Sequence, residues 1–198
     1  MFIKEIKTYP LFIETPSPFY YGEGWVKNRS SLIVEIVTSD GISGWGEGFC
    51  HGNQPPELAQ AVVEKVLKPL LLGKNIEDMD VLWEQMYYIT QPYGRKGIAI
   101  SAISAVDVAL WDCLGRSLSQ PIYKLLGGAY RTDVPAYASG FFRSSGKKYP
   151  EADVEEAKGY VSLGYKGMKV KAGFGVENDI CTMRQIRAAV GDDIMLMV

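Results

Sequence analysis

After Gly127-Gly128 the chain settles into a repeated pattern of a short apolar run, a helix-forming stretch and another apolar run. The apolar runs are Val134–Ala138, Gly167–Lys171 and Ile194–Val198, and Glu151–Leu163 and Glu177–Val190 between them have helical composition. Such runs, bounded by turn residues and separated by helices, read as buried strands of a parallel sheet with crossover helices. Gly164 and Gly191 close the two helices, where a left-handed cap suits glycine. Strand starts fall roughly 30 residues apart, the length of one βα unit when the ~250 residues of an eightfold barrel are divided among its strands. Only 66 residues run from Asp133 to Val198, far fewer than a closed barrel needs. The last run, Ile194-Met195-Leu196-Met197-Val198, has no polar tail, and an unpaired apolar edge invites association. The pattern therefore predicts the opening of a parallel α/β domain, with this chain a fragment of a longer protein.

The preceding residues follow a different grammar. Short alternating runs at about Phe2–Phe12, Ser31–Thr38 and Ile42–Phe49 predict three strands of an antiparallel meander, with Ser39-Asp40-Gly41 as the turn between the last two. Glu14–Asn28, rich in Pro, Gly and aromatic residues, is expected to be a long loop, either a lid or a packed Ω-loop. Helices are expected from Pro56 to Leu71, from Ile76 to Ile89 and from Lys96 to Leu114. In the third of these, Ala102, Val106, Ala109, Leu110 and Cys113 recur at helical spacing and predict a buried helix. Strands followed by helices mark an α+β unit.

Composition narrows the function classes. With 21 basic and 23 acidic residues the formal charge is −2, and no basic run tracks a phosphate backbone, which argues against nucleic acid as a partner. No uninterrupted apolar stretch has the roughly 18 residues of a spanning helix, and Met1–Glu5 does not read as a signal peptide, so a cytoplasmic protein without a membrane partner is expected. Cys50, Cys113 and Cys181 are odd in number and widely spaced, which suits reduced thiols.

Chemistry is concentrated at Gly167-Met168-Lys169-Val170-Lys171. On a strand, Lys169 and Lys171 share a face, which in a barrel is the interior. Two ammonium groups held close in a partly desolvated site depress each other's pKa, and a lysine brought toward neutrality can act as a general base. The other reading is an edge strand carrying two solvated lysines, and spacing alone leaves both open.

Ser104-Ala-Val-Asp-Val-Ala-Leu-Trp-Asp112, continuing through Gly115-Arg116 and Pro121 to Leu125-Leu126-Gly127-Gly128, resembles the mandelate racemase and muconate lactonizing enzyme branch of the enolase superfamily. The resemblance extends to Gly44-Trp45-Gly46-Glu47, to Val134-Pro135-Ala136-Tyr137-Ala138-Ser139, and to Gly164-Tyr165 leading into Lys169-Val170-Lys171. It implies an α+β capping domain over residues 1–128, a three-stranded antiparallel meander plus helices, followed over residues 129–198 by the first βα units of a (β/α)7β TIM-like barrel. It further implies that Lys171 abstracts the α-proton of a carboxylate substrate, while Lys169 steadies the resulting enediolate. Mg2+ would be bound by carboxylates on the third, fourth and fifth barrel strands, beyond Val198, so this chain alone is not expected to hold it. A homo-oligomeric sugar-acid dehydratase or racemase is implied, with cycloisomerase chemistry open. A different class, a non-catalytic fragment used for assembly through its capping surface, is the alternative.

The resemblance also implies substrate selection by two loops, about Thr15–Val26 and Cys50–Pro55. Tyr20, Tyr21 and Trp25, with Phe19, are the candidate lid aromatics, or else an aromatic cluster anchoring a long loop. His51 and Asn53 are candidate polar contacts in the second loop, and Tyr137 and Ser139, which share a face at the end of the first barrel strand, are candidates beside the lysines. Asp107 and Asp112 are too poorly spaced for a shared carboxylate site and are expected to be structural.

Overall fold

The computed structural model describes residues 1–22, 24–50 and 54–198. They fall into two compact units, Met1–Glu14 with Asn28–Tyr130, and Thr15–Lys27 with Arg131–Val198.

Strands β1 (Ile3–Tyr21), β2 (Gly24–Thr38) and β3 (Ser43–Phe49) form an antiparallel sheet in the order β1-β2-β3, of which the first unit holds all but Thr15–Lys27, the adjoining ends of β1 and β2. Pairing of β2 with β3 sets Val34 opposite Gly46 and Ile36 opposite Gly44. The turn expected at Ser39-Asp40-Gly41 is present, with Gly41 at φ +82° and its N–H donating to Thr38 O. Leu32, Val34 and Ile36 alternate along β2 and are fully buried on one face. On the other face Glu35 accepts hydrogen bonds from the Tyr9 hydroxyl at 2.8 Å and the Ser43 hydroxyl at 3.0 Å. Burial alone would raise the Glu35 carboxyl, but these donors and Lys7 outweigh it and hold it below its ordinary range.

Against this sheet lie α1 (Pro56–Val62), a π-helical stretch (Val63–Leu67), α2 (Lys68–Leu71), α3 (Met79–Thr90) and α4 (Ile98–Ser117), with α5 (Ile122–Leu125) after them. Ala102, Ala105, Val106, Ala109, Leu110 and Cys113 of α4 are all fully buried, in line with the helical spacing of the sequence. The helix meets β3 at Gly44, Gly46 and Gly48, which period two places on one face. A Cβ on Gly46 would run into Ala105 O and stand 2.7 Å from Ala109 N. The absence of side chains at these positions is therefore what lets strand and helix backbones approach. By length and composition α4 could cross a membrane, but it is half buried inside the protein, as a core helix is.

Two expectations for this region are corrected. Most of Glu14–Asn28 is strand, because β1 continues to Tyr21 and β2 begins at Gly24. Its aromatic residues favour extended backbone, and Pro10, Pro16 and Pro18 are tolerated because β1 is an edge strand. The helix expected from Ile76 begins only at Met79, since Lys74–Ile76 are extended along the start of β1: Ile3 N–H donates to Lys74 O and Ile76 N–H to Met1 O, both at 2.9 Å.

The second unit carries a parallel sheet of β4 (Ala138–Ser139), β5 (Gly167–Lys169) and β6 (Met195–Met197), in that order, with α6 (Glu151–Ser162) and α7 (Val176–Val190) in the connections. Ala138, Phe141, Ala157, Met168, Val170, Ile186 and Ile194 make its core. Gly164 and Gly191 follow the helices at φ +89° and +77°, positive values that suit glycine, but Gly191 at ψ 178° is extended and does not form the left-handed cap expected there. Strand β4 is shorter than the expected Val134–Ala138, because Val134 is 77% exposed and Pro135 has no N–H for a ladder.

Candidate active site

The register of the parallel sheet sorts the candidate residues by face. Ser139 is level with Lys169 and Lys169 with Met197, while Gly167 is level with Met195. Met168 and Val170 alternate with the lysines and are buried in the core with Ala138. Lys169 and Lys171 therefore leave the opposite face, together with Ser139. The strand direction persists past β5, since Val170 N–H donates to Met197 O at 2.8 Å. Both lysines are half-buried. Tyr137 stands beside them: the Lys169 Nζ is 5.7 Å from its ring centre, and a Cβ on Gly167 would be 3.5 Å from its Cβ.

Lys171 has an aromatic frame. Its Nζ is 5.1 Å from the ring centre of Phe142 and 6.0 Å from that of Tyr21, distances at which a cation is attracted to ring faces. Phe142 in turn packs against Phe19 at 4.6 Å and Tyr21 at 6.3 Å. Phe19 and Tyr21 thus serve one side of β1. Tyr20 serves the other, its ring lying 5.7 Å from Trp25 and 5.4 Å from Phe174. Of the sequence candidates, the structure gathers Lys169, Lys171, Tyr137, Ser139 and Tyr21 around one sheet face and its rim, and groups Tyr20 and Trp25 around Phe174. His51 and Asn53 lie outside the described residues.

Several residues that sequence reasoning passed over hold this arrangement. Phe141 is buried with a left-handed φ of +61°, unusual for a bulky residue. Its N–H donates to Glu156 Oε1 at 2.8 Å, and the same oxygen accepts from the Tyr160 hydroxyl at 2.8 Å. Burial, and then that hydrogen bond, push Tyr160 up to about 12. The bracket turns the chain sharply after β4 and sends Phe142 and Arg143 toward β1. After Lys171, Asp179 accepts N–H bonds from Gly173 at 2.9 Å and Phe174 at 3.2 Å, which fixes the second loop.

Arg143 is the most heavily engaged of these residues. Its guanidinium carbon stands 3.7 Å from the Phe174 ring centre and 4.7 Å from that of Tyr149. Its Nη2 donates to Asn178 Oδ1 at 2.9 Å and faces Asp153 Oδ2 at 3.9 Å. Nε is buried without a partner among the described residues, so ring faces carry much of its hold. Burial raises the Asp153 carboxyl to about 6, against the opposing pull of Arg143. One signal could have found the group: Gly140-Phe141-Phe142-Arg143 directly follows a parallel strand, where α/β folds place functional loops.

An antiparallel sheet faced by helices is followed along the chain by a parallel α/β unit with two lysines near one strand end, the organisation expected of the family that the sequence resembles. Residues 6–127 match the profile of the mandelate racemase / muconate lactonizing enzyme N-terminal domain, and the chain belongs to that family. An arabinonate dehydratase of Saccharolobus solfataricus is 42% identical over 201 residues, covering 99% of this chain and 53% of its own length. A D-galactarolactone cycloisomerase of Agrobacterium fabrum is 32% identical over 198 residues, covering 100% of this chain and 51% of its own. The crystal structure of a racemase from Streptomyces coelicolor A3(2) with bound magnesium aligns with a TM-score of 0.88 at 32% identity, over 99% of this chain and 54% of that one. The chain spans about half the length of the curated relatives it matches.

Magnesium in that racemase raises the question of fit. Among the described residues no three His, Cys, Asp or Glu side chains gather where they could hold a metal ion. The sheet face here presents ammonium groups instead of carboxylates, and does not suit a divalent cation.

Proposed function

We propose that the complete protein abstracts the α-proton of a carboxylate substrate, with Lys171 as the base and Lys169 as its electrostatic partner. The observation that carries this reading is the placement of both lysines on the sheet face opposite the packed core, with Lys169 level with Ser139 at the C-terminal end of β5 and Lys171 two residues beyond it. In parallel α/β folds that end is where reacting groups are held. We read β4, β5 and β6 as the opening strands of a barrel, which makes this face its interior, and residues 1–128 as the capping domain before it. The α-C–H electron pair moves into the carboxylate as an enediolate while the proton passes to Lys171 Nζ. The Lys169 ammonium meets the charge that develops on the carboxylate oxygens. Any Mg2+ would rest on carboxylates outside the described residues, and none of these steps is routed through it.

The substrate class we favour is a sugar acid, because the 42%-identical relative is an arabinonate dehydratase. Tyr21, Tyr137 and Ser139, which border the lysines, are the proposed contacts on this sheet face, and Tyr20, Trp25, His51 and Asn53 are proposed from the two specificity loops. The three cysteines are free, which suits a reducing, cytoplasmic setting. The test is exchange of the α-proton in deuterated water over a panel of aldonic acids, arabinonate included. Lys171→Ala is expected to lower exchange by about 10²–10⁴-fold, the usual share of a general base. Full exchange in that variant would remove Lys171 from the role.

A further inference from the structure

We propose that Arg143 is a positioning residue that fastens the end of strand β1 to the loop following Lys171, and so fixes the aromatic wall against which that lysine works. Its bearing on catalysis rests on the function proposed above; the fastening does not. Three observations from different atoms converge on it. The backbones of Tyr20 and Arg143 form an isolated antiparallel bridge, with Tyr20 N–H donating to Arg143 O at 2.7 Å and Arg143 N–H to Tyr20 O at 2.9 Å. The Arg143 guanidinium lies over Phe174, the same ring on which Tyr20 packs, and is tied to Asn178 at the start of α7. Gly22, just past the end of β1, meets the loop after Lys171 almost backbone to backbone: a Cβ there would stand 2.9 Å from Ala172 O and 3.4 Å from the Gly173 Cα.

The consequence follows from strand alternation. Pinning Tyr20 by its backbone on one side and its ring on the other holds Tyr21, the next residue along the strand, on the side of Phe142 and the Lys171 Nζ. Arg143 acts on Lys171 through Tyr20, Tyr21 and Phe174. Arginine suits the place because a flat guanidinium can lie on the Phe174 ring while its edge reaches Asn178, a pairing of contacts that a lysine ammonium reproduces poorly.

The experiment uses the complete protein and two variants that release the same contact by different means. Arg143→Met keeps the apolar stem and removes the charged fork, and Gly22→Ala pushes against Ala172 O without touching Arg143. Hydrogen exchange resolved to single amides is the first readout. Both variants are expected to speed exchange at Tyr20 and Arg143 at least tenfold while Met168 and Val170 keep their protection, and Arg143→Lys is expected to recover only part of the loss. The second readout is steady-state kinetics with the acid turned over, where loss of positioning raises KM at least tenfold and leaves kcat within threefold. Unchanged exchange at Tyr20 in Arg143→Met overturns the proposal, as does faster exchange with an unaltered KM. If the unsubstituted protein turns over no carboxylic acid, the function proposed above fails, and the exchange data alone then decide for or against the fastening.

Discussion

Replacing Gly46 with alanine tests how closely this fold is packed at its first core. The added Cβ would collide with Ala105 O and stand 2.7 Å from Ala109 N and 3.1 Å from the Ala105 carbonyl carbon. Carbon contacts settle at about 3.5–4.0 Å, so β3 and α4 must separate by at least ~0.8 Å to clear Ala109 N, and by more to clear Ala105 O. Where a flexible side chain gives way, overpacking costs about 1–3 kcal/mol. Here the obstacles are helix backbone, held by its own hydrogen bonds, and Ala105, Ala109 and Cys113 lose contact together when α4 retreats. We therefore expect a cost of about 3 kcal/mol or more, seen as a fall of roughly 1 M or more in the urea midpoint and about 6–12 °C in Tm. Gly48→Ala is the internal comparison. Its Cβ would meet Ser101 O at 3.1 Å and the Ala105 methyl at 3.3 Å, for an expected loss of about 1 kcal/mol. Adding Ala105→Gly to Gly46→Ala should give no rescue, because the obstruction is a carbonyl and not a methyl group. Urea unfolding followed by far-UV circular dichroism, with hydrogen exchange of the α4 amides, reads all three. A Gly46→Ala cost below about 1 kcal/mol, or no larger than that of Gly48→Ala, would refute the reasoning.

Asp153 should leave a mark on the pH dependence of stability. Its carboxyl rises from 3.8 unfolded to about 6 in the fold, mainly through burial, with Glu156 adding to the rise and Arg143 and Lys147 opposing it. Between those values the native state keeps a proton that the unfolded chain releases, so stability falls as pH rises through the window and levels off above it. At about 1.4 kcal/mol per unit, up to ~3 kcal/mol is at stake, and Asp153→Asn should gain on the wild type by that order as urea unfolding is repeated from pH 4 to pH 7. Asp112 Oδ2 accepts from both Trp45 N–H and Arg116 Nε at 2.9 Å. Asp112→Ala is expected to cost about 1–2 kcal/mol in the same assay and Asp112→Asn less, since the amide oxygen still serves Trp45.

Helices and strands with a clear period were legible in the sequence, as was the Asp40-Gly41 turn, whereas residues whose role depends on a distant partner were not. The buried stripe of α4 could be read from Ala102 to Cys113 because one face of a helix repeats every three to four residues. The Gly44, Gly46 and Gly48 stripe was visible as a string of glycines, but its purpose depends on Ala105 and Ala109, far away in sequence. The stretch from Glu14 to Asn28 reads as loop because its prolines suggest irregular backbone, and only pairing shows that they sit on an edge strand. Lys169 and Lys171 stood out by charge on an apolar strand. Arg143 and Glu156 did not, since each derives its importance from a partner: Tyr20 for one, and the left-handed Phe141 for the other.

The alternation at Tyr20 and Tyr21 sets a parity rule for changing the length of the β1 hairpin. A single inserted or deleted residue before Tyr20 would exchange the two sides, presenting to Lys171 a ring that now packs on Phe174 and sending the Lys171 partner away. Two residues at once restore the phase. Libraries that vary this segment should step in pairs, and natural length variants that keep an aromatic beside the lysine are expected to differ by even numbers.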